Sequence, residues 1–139
     1  MPTFTANQLG MSYPKGRDTI TKIFAVARTD NATPKMWLPK DAVVCGIHVY
    51  QNVNASTAAA TFSVGWSGTA NALINAFSMA TTAVGLQNPG TATGSSFMTK
   101  LTQDQLVTCT YTVGSSTAGG TGYVIIEYFV PGAQEQVDD

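Results

Sequence analysis

Between Asp41 and Lys100 the chain carries no Lys, Arg, Asp or Glu, and between Asp104 and Glu127 there is again none. So long a stretch without ionised groups leaves few outcomes open. Disorder needs low hydrophobicity and high net charge; here 44% of residues are hydrophobic and the formal net charge is −1. A membrane helix needs about 18 consecutive apolar residues, and Thr, Ser, Asn and Gln interrupt every apolar run. What remains is a folded domain whose surface is built from neutral polar and small residues. Charged residues make up 11% of the chain, against roughly 25% in ordinary domains. Interface cores are depleted of charge, so this composition suits a protein that packs against neighbours. It equally suits a secreted or particle-borne β-protein.

The apolar residues alternate, which is the signature of half-buried strands. Thr19 to Arg28 (TITKIFAVAR) is rich in β-branched residues and predicts a first strand. Lys35 to Leu38 predicts a short one, stopped by Pro39, and Ala42 to Gln51 a long one with Val43, Cys45, Ile47 and Val49 on one face. Ala60, Phe62, Val64 and Trp66 alternate in a fourth. Ala83 to Leu86 and Ser95 to Leu101 are further candidates. Ala70 to Met79 is open between strand and helix, because Leu73, Ile74 and Phe77 have helical spacing while Asn, Ser and Thr around them give little helical support. Leu106 to Val113 and Tyr123 to Val130 flank the loop Gly114 to Gly122 and read as a long-looped hairpin.

These segments predict an all-β chain: a single-domain, jelly-roll-like β-sandwich of about eight strands with an extended N-terminal arm. Its expected boundaries are 1–18 for the arm, 19–132 for the sandwich and 133–139 for an acidic tail. A chain of 139 residues buries roughly two thirds of its unfolded surface, enough for a core without covalent staples. Cys45 and Cys109 sit in apolar strand runs and are expected as buried free thiols acting as small hydrophobes. A disulfide between them would need an oxidising compartment and close Cα approach, neither of which sequence reveals. The N-terminus lacks the basic and apolar regions of a signal peptide.

Few residues invite a catalytic reading. Gly65-Trp66-Ser67-Gly68 starts like a nucleophile elbow, but G-x-S-x-G places its second glycine one residue later. The single histidine, His48, lies in a strand, alternating with Val44, Gly46 and Tyr50. Ser67 is therefore expected to be a turn residue. One His, two separated Cys and scattered carboxylates offer no metal site at recognisable spacing. Asp30, Asp41, Asp104 and Glu127 read as turn caps or solvated positions better than as a glycosidase pair. Gly114 to Gly122 joins strand to strand and lacks the helix and Lys of a phosphate cradle. No cofactor is expected. Asn31-Ala32-Thr33 and Asn54-Ala55-Ser56 match the glycosylation pattern, which has consequence only on secretion. Six of the seven basic residues precede residue 41. No aromatic platform interleaves with them and acids dilute their field, so an arm lying on an acidic protein surface is expected rather than nucleic-acid binding.

Three segments carry a family resemblance: PKDAVVCGIHVY, TFSVGWSGTANALIN and YTVGSSTAGGTGYVIIEYFVPG. Together with the layout of one short β-domain from Thr19 to Gly132, they resemble the jelly-roll cement or decoration proteins on tailed-bacteriophage heads. The resemblance implies a virion structural protein, made in the bacterial host cytoplasm and seated on the outer capsid surface. Its implied partners are the major capsid protein and further copies of itself, as dimer or trimer, with no role for nucleic acid or membrane. That family has no catalytic residues to carry over. The arm residues Tyr13, Pro14, Lys15 and Arg17 are the expected shell contacts, and Trp66 and Tyr128 the expected oligomer contacts. Two alternatives stand: another phage structural module (tail, neck or fibre), and a carbohydrate-binding β-sandwich using Trp37, Trp66, Tyr50 and Tyr111 as platforms.

Overall fold

A computed structural model describes residues 19–56, 59–80, 84–114 and 119–131. The expected arm and tail lie outside the described residues. Among the described residues eight strands form: β1 (Ile20–Val26), β2 (Thr33–Leu38), β3 (Val43–Val53), β4 (Thr61–Trp66), β5 (Thr69–Ser78), β6 (Gly85–Gln87), β7 (Gln105–Thr112) and β8 (Thr121–Phe129). They make two four-stranded antiparallel sheets, ordered β1-β8-β3-β6 and β2-β7-β4-β5. The chain passes from one sheet to the other at nearly every connection, which is the double-sheet jelly-roll arrangement. The expected all-β sandwich is therefore what the chain forms.

The core lies between the sheets. Phe24, Val26, Val49, Val124 and Ile126 from the first sheet meet Leu38, Phe62, Val64, Val107 and Cys109 from the second. Each fully buried Val, Leu, Ile or Phe contributes about 1.5–3 kcal/mol of transfer free energy. The Phe62 and Phe77 rings add a tilted contact at 5.4 Å between centroids. Buried Gln51 is fully satisfied: Nε2 donates to Asn54 Oδ1 and to the Met79 carbonyl, both at 2.7 Å. That pair pins the end of β3 to the segment following β5.

Four sequence expectations change. First, β7 and β8 do not form a hairpin, because β7 pairs with β2 and β4 while β8 pairs with β1 and β3; their loop crosses between sheets. Second, Cys45 is the extra residue of a bulge, since Val44 pairs with Tyr128 and Gly46 with Glu127. The bulge shifts the phase of β3, so Val44 points into the core and Val43 and Cys45 are only half-buried. Third, Ser95 to Leu101 is a series of turns ending in a single bridge, Lys100 to Val43. It closes one end of the sandwich: the Met98 N–H donates to the Val44 carbonyl and the Leu101 N–H to the Ala42 carbonyl, both at 2.9 Å. Fourth, Ala70 to Met79 resolves to strand, and the short sixth strand falls at Gly85–Gln87. The helical spacing of Ile74 and Phe77 has a strand explanation. Phe62 pairs with Phe77 and Val64 with Ile74, so β5 spends three residues where β4 spends two. One added residue turns a period of two into a step of three, and Ala76, at φ 54, absorbs it.

Candidate protein interface

The two outer faces of the sandwich differ in chemistry. On the β1-β8-β3-β6 sheet, register places Ala25, Tyr123, Tyr50 and Leu86 in one row across all four strands. Ile23, Ile125 and His48 form the next row, and Thr21, Glu127 and Gly46 the third. The first two rows are apolar apart from His48 and two phenol hydroxyls. Ile23 and Leu86 are each 63% exposed, and Tyr50 and Tyr123 stand in ring contact with centroids 6.4 Å apart. In the third row the Glu127 side chain lies flat over Gly46, where any Cβ would strike it. An antiparallel sheet usually turns polar residues to water on its outer side. A contiguous apolar face is a mark of a binding surface.

The outer side of the other sheet is hydroxylated. Thr61 pairs with Thr112, Ser63 with Thr110 and Gly65 with Thr108. Trp37 stands exposed at its edge, next to Leu106. No charged side chain lies in these three rows. The hydroxylated face is thus neutral in these rows, and the first carries one carboxylate in its own, Glu127. The first gathers its large apolar groups in adjoining rows, whereas the second exposes Trp37 at its edge.

The structure places the residues singled out from sequence as follows. Trp66 and Tyr128 belong to the hydrophobic core, 7% and 6% exposed. Among the large apolar side chains left exposed, Ile23, Tyr50, Leu86 and Tyr123 stand in adjoining rows of one sheet face. Their strand positions were legible in sequence, but not that the chain leaves them uncovered. Tyr13, Pro14, Lys15 and Arg17 lie outside the described residues. Ser67 is exposed in the two-residue turn between Trp66 and Thr69, which pair across the β4–β5 hairpin, with Gly68 at φ 90. No base adjoins it, since His48 is on the other sheet beside Ile125. Among the described residues no group of three or more His, Cys, Asp or Glu converges as metal ligands would.

Sequence reasoning missed one polar cluster, at the turn from β1 to β2. Asp30 is 5% exposed. Its carboxylate accepts from the Ala27 N–H at 2.9 Å and from Lys35 Nζ at 3.0 Å, and its carbonyl accepts from the Tyr111 N–H at 2.9 Å. The Arg28 guanidinium lies 6.0 Å from the centre of the Tyr111 ring. Burial, reinforced by the Asp30 carboxylate against an opposing effect of Lys35, pushes the Cys109 thiol up to about 12. Burial also raises the Tyr111 phenol, while Arg28 pulls it back. A thiol held so firmly protonated is a poor nucleophile, and the cluster serves as a brace between the sheets.

The raised thiol has a consequence in alkali. The unfolded chain releases the Cys109 proton near pH 9 and the folded chain near 12, so the unfolded state binds fewer protons between those values. Stability attributable to Cys109 is complete below pH 9 and is lost as pH rises toward 12, by a few kcal/mol. In urea unfolding followed from pH 8 to 11, the wild type is expected to lose more stability than Cys109→Ala. Parallel curves for the two proteins would refute this.

The fold resembles a chain in the cyanophage Pam1 capsid asymmetric unit. The TM-score is 0.60 at 19% sequence identity, over 94% of this chain and 100% of the Pam1 chain. The likeness therefore extends over the whole Pam1 chain and is one of fold. No family model and no curated protein matches the sequence.

Proposed function

We propose that the chain is a bacteriophage virion structural protein, a cement or decoration protein that seats on the outside of the head shell and reinforces contacts between capsomers. The observation that carries this reading is the exposed apolar face formed by Ile23, Tyr50, Leu86 and Tyr123 on an otherwise charge-poor sandwich. Such a face is costly in water and useful against a protein lattice. The resemblance of the fold to a chain of a phage capsid supports the same reading. The work done is mechanical: many modest contacts, each burying roughly 1,000 Å² or more, add up over a shell by multivalency. No step of it is catalytic. Tyr13, Pro14, Lys15 and Arg17 supply a second, salt-sensitive contact to an acidic surface of the major capsid protein.

Co-sedimentation with expanded heads that lack the protein tests the reading. Wild-type protein is expected to saturate a fixed number of sites. Replacing both Tyr123 and Leu86 with Lys sets two ammonium groups in the apolar row and is expected to weaken binding at least about tenfold, or 1.4 kcal/mol. Thr110→Lys, on the hydroxylated face, is expected to leave binding unchanged. Lys15→Ala with Arg17→Ala should weaken binding and flatten its salt dependence. Binding to tails but not to heads would overturn the cement reading.

A further inference from the structure

The four sheet edges of the sandwich are not alike. At one edge of the first sheet, β6 is three residues long and begins with Gly85 at φ 122. In the second sheet, β2 carries Pro34, which has no N–H to offer, and its register shifts between Pro34 and Met36. β5, at the opposite edge, is broken by two register shifts, and the chain itself covers it. There the Gly94 N–H donates to the Leu73 carbonyl and the Ser96 N–H to the Ala72 carbonyl, both at 2.8 Å, and Thr93 bridges to Ile74. Short length, proline, bulges and covering loops are the devices by which sheet proteins keep their edges from recruiting another strand.

Among the described residues β1 has none of these; of the edge charges that serve the same end it carries one, Lys22. It runs seven residues in unbroken register with β8, from Ile20 opposite Tyr128 to Val26 opposite Gly122, with no Pro, Gly or bulge. Among the described residues it pairs on that side only. Ile20, Thr21, Lys22 and Ile23 are all exposed. We propose that β1 is a self-association edge: two copies pair β1 to β1, antiparallel, about a two-fold axis at Ile23, joining two four-stranded sheets into one of eight strands.

Three features favour a second copy as the occupant. An antiparallel pair of identical strands is self-complementary and closes at two members. Centred on Ile23, the register sets Thr21 opposite the partner's Ala25, Lys22 opposite the partner's Phe24 and Ile20 opposite the partner's Val26. The two Lys22 side chains are therefore staggered rather than opposed, and like charges directly opposite would be destabilising. Ile23 also lies in an apolar row of the outer face, with Ile125 and His48, and the axis joins that row to its own copy, while the Ala25 row meets the partner's Thr21. Seven paired residues span about 24 Å, and such a contact falls short of the roughly 800 Å² per partner of a standard stable interface. The dimer is accordingly expected to be concentration-dependent, with a dissociation constant of micromolar order.

Sedimentation velocity on the full chain, without heads, tests this from about 1 to 300 µM. The wild type is expected to shift from monomer to dimer across that range. Ile23→Lys, which sets two ammonium groups together at the axis, should weaken dimerisation at least about tenfold. Leu86→Lys, at the far edge of the same face, should not. Directly opposed antiparallel residues have Cα atoms about 4.5–5.5 Å apart, within disulfide range. Ile23→Cys is therefore expected to give a dimer under oxidation, joined through residue 23 of each copy and identified by peptide mapping. A monomer throughout would overturn the proposal, and is the result expected if residues 1–18 of the same chain cover β1. A trimer, or a dimer indifferent to Ile23→Lys, would overturn it equally. Since no head takes part, failure here removes the dimer and leaves co-sedimentation to decide the shell reading.

Discussion

Gly65→Ala is expected to lower the free energy of unfolding by more than about 3 kcal/mol, the upper range for a single methyl forced into a packed site. The added Cβ would lie 2.6 and 2.7 Å from the carbonyl carbon and oxygen of Ala70, and closer still to the carbonyl oxygen of Thr69. These are backbone atoms of β5, locked to β4 by the hairpin turn at Ser67-Gly68 and by the pairing of Trp66 with Thr69. No side-chain rotation relieves the clash; the hairpin itself must shift. Ser67→Ala, two residues away and exposed, is expected to stay within about 0.5 kcal/mol of the wild type. Urea unfolding of the two variants gives the comparison. Were Gly65→Ala to lose less than about 1 kcal/mol, the close passage of β5 over β4 would be wrong.

Asp30→Ala is expected to cost about 3–5 kcal/mol, the range for breaking a buried ion pair by removing one partner. The loss has two parts. The Ala27 N–H loses its acceptor, and Lys35 Nζ, on a side chain only 14% exposed, is left without its counter-ion. Asp30→Asn with Lys35→Met keeps an acceptor for Ala27 and removes the stranded charge. That double variant is expected to recover most of the loss, because neutral, well-packed replacements of buried ion pairs are often tolerated. Removing Asp30 also takes away a charge that holds the Cys109 thiol up. Thiol titration in Asp30→Asn with Lys35→Ala should therefore show Cys109 easier to deprotonate than in Lys35→Ala alone. Equal losses in the single and double Asp30 variants would mean that the ion pair is not what braces the turn.

Much of this molecule is legible in its sequence, and the failures have a common cause. The strands at 20–26, 33–38, 43–53, 61–66, 105–112 and 121–129 follow from short-range alternation of apolar with polar residues. Which alternate set faces the core does not. At Cys45 one inserted residue exchanged the two faces of β3 for the residues before it, and at Ala76 another made a strand look helical. Bulges arise from the fit of one strand against its neighbour, and no local pattern encodes them. The hairpin expected of β7 and β8 failed for a related reason: adjacency in sequence says nothing of which sheet a strand joins. Trp66 and Tyr128 were expected at an interface because large amphipathic rings often sit there, yet both are enclosed by this chain's own core.

Sequence by itself determined an all-β sandwich with a nearly uncharged middle, since composition and period-two alternation are local properties that survive any arrangement of the strands. Only the tertiary structure decided which residues that middle leaves exposed. Tyr50, Leu86 and Tyr123 come from three strands distant in sequence, and they form one apolar row because β8 inserts between β1 and β3. The exposed face, the closely covered Gly65 and the enclosed Asp30–Lys35 pair all depend on long-range pairing, and pairing is chosen by the packing of the whole sandwich.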